Sequence, residues 1–163
     1  MIIHDQFDKE IRLNFTQPQD KPNGEHVLAI AFLNDSYLLT RHKKRGIEFP
    51  GGKIEQGESS EAAIVREVYE ETGGIVAEMT YVAQYTVYHP EGTKWFTKDV
   101  FAVQVDTLES KNDYLETAGP VKCKHLDEIS DEEKSFLLED EAILKCVERV
   151  IELGLYQKKG DAD

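Results

Sequence analysis

A chain of 163 residues is the size of one ordinary domain, with room for one core and too little for two. Its 19 basic and 32 acidic residues leave a net charge of −13, which excludes general attraction to duplex DNA or any long nucleic acid, so phosphate handling would need bound cations to reverse the field locally. Two cysteines, Cys123 and Cys146, with no CxxC pair make neither a disulfide framework nor a zinc site, and no stretch approaches the ~20 apolar residues of a membrane span.

The first 15 residues lack a basic stretch followed by an apolar run, so no secretory leader is expected and the cytoplasm is the expected compartment. Residues 11–15 alternate as a strand, and 16–25, with two prolines and a glycine, read as a loop. Residues 26–32 are apolar and β-branched enough for a buried strand, which turns at Asn34-Asp35 and pairs back over 36–40. Residues 41–45 are basic and exposed, and 46–57, with four glycines and a proline, form a shaped loop. Helical periodicity covers 59–72, capped by Ser59 or Ser60 and stopped by Gly73-Gly74. Two long strands follow over 75–88 and 94–105, joined by a turn through Pro90 and Gly92, then a loop over 113–119 and a short strand over 121–126. A last helix falls within 131–153, with Leu144, Val147 and Ile151 on one apolar face, and a polar tail begins at about 157. Strands with one embedded and one late helix predict a single α+β domain over residues 1–163, a mixed sheet flanked by helices.

The chemistry concentrates at the first helix. At about 100° per residue, Glu71 lies roughly 40° to one side of Glu67 and Glu70 roughly 60° to the other. Three carboxylates share an arc of about 100°, which predicts a core face on the other side, through Val65, Tyr69 and Thr72 with Ala62 and Val68 near them. Like charges this close are unfavourable unless a hard cation sits among them, and Mg²⁺ prefers such oxygen ligands. Arg66 can hold a neighbouring carboxylate by a bidentate contact. Ahead of the helix, Pro50-Gly51-Gly52 lets backbone carbonyls approach a metal, and Glu58 sits near the helix start.

The spacing is Gly52, five residues, Glu58, seven residues, then Arg66-Glu67-Val68-Tyr69-Glu70-Glu71-Thr72-Gly73. This resembles the Nudix box, here residues 52–74. Gly74 departs from it by standing where an aliphatic residue is usual, one step before Ile75. The resemblance implies a Nudix α/β/α sandwich in which Glu67, Glu70, Glu71 and the Gly51 carbonyl are metal ligands. It further implies that Glu58 supports the site, Arg66 orients a glutamate and Lys53 approaches the phosphates. The flanking segments at 45–55, 83–85 and 113–120 are similar to the YtkD-type branch of MutT-like enzymes of Gram-positive bacteria. That branch is linked to pyrophosphohydrolysis of nucleoside triphosphates, oxidised guanine nucleotides among them, and of triphosphorylated RNA ends. By the same resemblance Glu116 is an additional metal ligand or the general base, the alternative being a turn-stabilising acid with a box glutamate, Glu70 or Glu58, as the catalytic base.

Other residues are open between site and scaffold. Arg41, Lys43, Lys44 and Arg45 either grip phosphates or form a plain exposed turn. Phe49 and Trp95 either stack on a base or belong to the core and a hairpin. The expected reaction is hydrolysis assisted by Mg²⁺, with Mn²⁺ as substitute, of a phosphoanhydride in a nucleoside triphosphate or an RNA 5′ end. The competing readings are a Nudix pyrophosphatase for dinucleotides or nucleotide sugars, a non-catalytic nucleotide-sensing Nudix module, and an isomerase on a similar scaffold.

Overall fold

The structure is a computed structural model that describes residues 1–156, so the polar tail expected from about 157 lies outside the described residues. In chain order the strands are β1 (Ile2–His4), β2 (Glu10–Phe15), β3 (His26–Leu33), β4 (Ser36–His42), β5 (Gly46–Glu48) and β6 (Gly51–Lys53). Helix α1 (Ser60–Thr72) follows, then β7 (Gly74–Tyr88), β8 (Lys94–Leu108), β9 (Thr117–Cys123) and helix α2 (Glu141–Glu152). Two short 3₁₀ turns, Leu126–Glu128 and Phe136–Glu139, lead into α2.

The strands form one mixed sheet in the order β1-β2-β7-β8-β3-β4-β5, with β6 paired to β3 and β9 to β4. Among the named strands of the described residues, β3 and β8 alone pair in parallel. Strand β3 lies at the centre and is apolar on both faces, as the unbroken run Val27–Leu33 demands. Val27, Ala29 and Ala31 join the core under α1, while Leu28, Ile30 and Phe32 join the one under α2. The helices thus sandwich the sheet.

Helix α1 starts where Ser59 accepts a hydrogen bond from the Ala62 N–H, and ends at Gly73 with φ 77°. A Cβ at Gly73 would lie 2.1 Å from the Glu109 carbonyl oxygen, so the stop requires glycine. The predicted core face of this helix is right at Val68 and Thr72 and corrected at Val65, Tyr69 and Ala62. Val65 and Tyr69 are exposed, and Ala63, Ile64, Val68 and Thr72 are buried. Burying Ile64 and Val68 contributes roughly 1.5–3 kcal/mol each. The buried face therefore adjoins the carboxylate arc and takes in Glu71.

Helix α2 is corrected in the same way. Leu144 and Ile151 are exposed, and the buried stripe is Ala142, Ile143, Cys146, Val147 and Val150. The glycine-rich 46–57 segment, expected to be loop throughout, contains β5 and β6. Their pairing with β4 and β3 comes from backbone groups, which leave no hydrophobic period to read.

Candidate active site

Strand β6 and helix α1 meet face to face because the loop between them is short and Gly51 and Gly52 of β6 carry no side chain. Gly51 and Gly52 pair with Leu28 and Val27. A Cβ on Gly51 would come within 2.4 Å of the Val27 carbonyl oxygen, and one on Gly52 within 2.9 Å of the Glu67 carboxyl carbon. The Gly51 N–H donates to Glu71 Oε2 at 3.2 Å.

Glu71 is only 8% exposed. Burial, and then the neighbouring Glu67, push its carboxyl well above the ordinary 4.5. Arg66 organises the remaining acids. Its Nε and Nη2 donate to the two Glu58 oxygens at 2.7 and 2.9 Å, and Nη1 donates to Glu67 at 2.5 Å and to Glu70 at 3.4 Å. Nη2 also reaches the Lys53 carbonyl at 3.0 Å. The hydrogen bonds from Arg66 hold the Glu58 carboxyl down at about 2. Arg66 therefore ties the loop, the helix entrance and two box acids together, where the sequence reading had it orient one glutamate.

Among the described residues no three His, Cys, Asp or Glu side chains already converge on a point as metal ligands. Glu67 and Glu70 lean to Arg66, and Glu71 to Gly51. The donor set nevertheless fits a hard cation. Its side-chain donors are all carboxylate oxygens, and the desolvated Glu71 beside Glu67 is a like-charge pair that a cation would relieve.

These acids face a cleft of about 670 Å³ between β6, α1, the 113–117 loop and the start of α2. Lys53, Arg45, Phe49 and Glu116 also line it. Arg45 is engaged in a two-point contact with Glu48 at 2.9 and 2.8 Å. Phe49 is a core residue packed edge-on against Tyr37. Glu116 stands on the rim with 89% of its side chain exposed. The structure leaves Arg41 outside the cleft, paired with Glu133 at 3.0 Å, and Lys43 bonded to the Leu115 carbonyl at 2.9 Å. Trp95 stacks on His89 and borders a second cavity of about 200 Å³.

The sequence reading missed His26, His42, Phe96 and Lys98, which also line the cleft. Lys98 carried a signal: it follows the alternation of Phe96 and Val100, so a strand residue at that position points inward. Its neighbour Asp99 is fully buried and accepts from the Gly24 N–H, Ser60 Oγ, Tyr81 OH and Gln84 Nε2 at 2.7–2.9 Å, bracing the start of α1 against the sheet.

The NUDIX domain model matches residues 22–144. The Bacillus subtilis protein YtkD, whose name marks it a candidate 8-oxo-dGTP diphosphatase, is 36% identical over 152 residues, covering 92% of this chain and 95% of that protein. The crystal structure of the Bacillus subtilis pyrophosphohydrolase BsRppH, in a mutant form, superposes with a TM-score of 0.86 at 32% identity, covering 96% of this chain and 99% of that one. A NUDIX hydrolase of Nitrosomonas europaea superposes with a TM-score of 0.62 at 25% identity, over 85% and 94% of the two chains. Likeness along nearly the whole chain, with the glutamate helix and its glycine loop folded against each other, makes this chain a member of the Nudix hydrolase family.

Proposed function

We propose that the protein cleaves a phosphoanhydride bond in nucleoside triphosphates, 8-oxo-dGTP among them, and at triphosphorylated RNA 5′ ends, with Mg²⁺ as cofactor and Mn²⁺ as substitute. The observation that carries this reading is the buried Glu71 beside Glu67 on the wall of an open cleft. A divalent metal is the general requirement of Nudix hydrolases. The names of the Bacillus subtilis relatives, an 8-oxo-dGTP diphosphatase and a pyrophosphohydrolase, support phosphoanhydride cleavage and the first of the two substrate classes.

Glu67, Glu70, Glu71 and the Gly51 carbonyl hold the metal in this reading. When bound, it neutralises charge on the phosphate chain and makes a water more acidic. Arg66 offsets the mutual repulsion of Glu58, Glu67 and Glu70, and its guanidinium is committed to them and to the Lys53 carbonyl. Glu58 anchors Arg66 from the loop side. Lys53 and Arg45 offer positive charge to the phosphates, and Phe49 contributes apolar wall. Glu116 takes the proton of the attacking water from the cleft rim. A triphosphate yields pyrophosphate and a monophosphate, while an RNA end loses its outer phosphates. The buried thiols of Cys123 and Cys146, raised by burial to about 11 and about 12, suit a reducing cytoplasm.

Product analysis on 8-oxo-dGTP, ATP and a triphosphorylated RNA, with Mg²⁺ and after exhaustive EDTA treatment, tests this. Metal-dependent release of pyrophosphate or phosphate is expected. Undiminished turnover after EDTA would refute the metal reading. Inertness on all three, with cleavage of a dinucleotide or nucleotide sugar, would refute the substrate reading.

A further inference from the structure

Glu116 is the most exposed of the acids around the cleft, and a carboxylate free in solvent is a poorly positioned base. Its backbone, however, is held. The end of β4 pairs with the start of β9, which sets His42 opposite Thr117. The Lys43 N–H donates to the Glu116 carbonyl at 3.1 Å, and Lys43 Nζ donates to the Leu115 carbonyl at 2.9 Å. Leu115 is kept at φ 59°, a left-handed conformation that a leucine does not adopt without constraint.

The imidazole of His42 is held too. Its Nδ1 accepts from the Lys44 and Arg45 N–H groups, both at 3.1 Å. A ring nitrogen that accepts carries no proton, so in the neutral ring the proton is on Nε2. The side chain is 11% exposed, borders the cleft, and sets Nε2 at 3.9 Å from Glu116 Oε2. Among the described residues no other side chain is within ion-pair distance of that carboxylate, since Arg45 is taken up by Glu48. The gap is longer than a hydrogen bond. A small rotation of the exposed Glu116 closes it, as catalytic contacts commonly tighten only when substrate binds.

We propose that His42 is a positioning residue whose Nε2–H holds the Glu116 carboxylate turned towards the box acids, where it takes the proton of the attacking water. This rests on the reading of Glu116 as the base. The water oxygen forms the new P–O bond and its proton goes to Glu116. The bridging P–O bond breaks, and its electron pair leaves with the phosphate product. His42 keeps its own proton throughout.

Isosteric replacement separates this role from a structural one. In Asn the amide oxygen can stand in for Nδ1 and keep the turn, but nothing replaces the Nε2–H. In Gln the amide N–H reaches the Nε2 position, but the turn loses its acceptor. The measurements are kcat, KM and Tm for His42→Asn, His42→Gln, Glu116→Gln and the His42→Asn/Glu116→Gln double variant, with a triphosphate substrate at saturating Mg²⁺. His42→Asn should lower kcat by about 10- to 100-fold, the range for groups that orient a functional residue, with KM and Tm near wild type. His42→Gln should keep more of kcat while losing more Tm. In the Glu116→Gln background, His42→Asn should cost nothing further. A kcat order reversed between the two His42 variants would make His42 a turn residue and overturn the proposal. So would an equal loss from His42→Asn with and without Glu116. Wild-type kcat in Glu116→Gln would remove the base itself and the proposal with it. A low kcat in Glu116→Gln beside wild-type kcat in His42→Asn would overturn only the role of His42.

Discussion

The two helices cover opposite faces of one sheet and are built on opposite terms. Helix α2 buries Ala142, Ile143, Cys146, Val147 and Val150, all apolar. Helix α1 buries Ala63, Ile64 and Val68, but with them Ser60, Thr72 and the carboxyl of Glu71. Polar contacts supply what apolar area does not. Ser60 Oγ donates to Asp99 at 2.8 Å, Thr72 Oγ1 to the Val68 carbonyl at 2.6 Å, and Arg66 binds acids on both sides of the loop. The contrast teaches that α2 can be read as an anchor, whereas α1 gives up stability to hold charge against the cleft.

The strongest way to break that comparison is Glu71→Gln. The amide keeps the shape and removes a carboxylate that burial disfavours, so the metal-free protein should melt at the same temperature or higher. Activity should fall on the order of a hundredfold or more, the scale of losing one transition-state electrostatic partner. Steady-state kinetics with a melting curve decides the matter. Retained turnover with a large loss of Tm would make α1 an anchor like α2.

The converse change lies on α2. Val150 is fully buried and does not border the cleft. Val150→Ala should cost about 2 kcal/mol from lost burial and the cavity left behind. For a domain this size that is a Tm drop of about 4–8 °C. Turnover measured well below the transition should be unchanged.

The smallest effect is in acid. Arg66 holds the folded-state carboxyl of Glu58 at about 2, against an ordinary 4.5. A depressed carboxyl contributes stability that is present above 4.5 and lost as pH falls from there towards 2. Urea midpoints between pH 5 and 2.5 should therefore fall more steeply in wild type than in Glu58→Gln, and Val150→Ala should keep the wild-type slope. Equal slopes in wild type and Glu58→Gln would show that the Arg66 contact adds nothing to folding.

Both helices were legible as helices, and on both the expected face was only partly right: Val68, Thr72 and Val147 are buried as expected, while Val65, Tyr69, Leu144 and Ile151 are exposed. Periodicity tells which residues share an arc but not which arc meets the sheet. On α1 the acids and the apolar residues occupy neighbouring arcs, so an acid face opposite the core and an acid face at its edge give the same pattern. The packing of Gly51 and Gly52 selects the edge, because their bare backbone lets Glu67 and Glu71 close on the loop. On α2, Leu144 and Ile151 are as apolar as Ile143 and Val150, and only the docked sheet distinguishes them.

What the sequence determined alone was everything local or carried by spacing: the longer strands β2, β3, β4, β7 and β8, the caps at Ser59 and Gly73, the crowded glutamates, and a glycine–glutamate pattern too long to arise by chance. Those features depend on residues close along the chain, where bond geometry sets the angles. What only the tertiary structure decided was which distant groups meet. Lys98 and His26 come to the cleft because β3 and β8 pair in register, and Arg41 leaves it because Glu133 is within reach. His42 faces Glu116 because two strands far apart in sequence end side by side. Such meetings follow from how the sheet closes, and no local pattern encodes them.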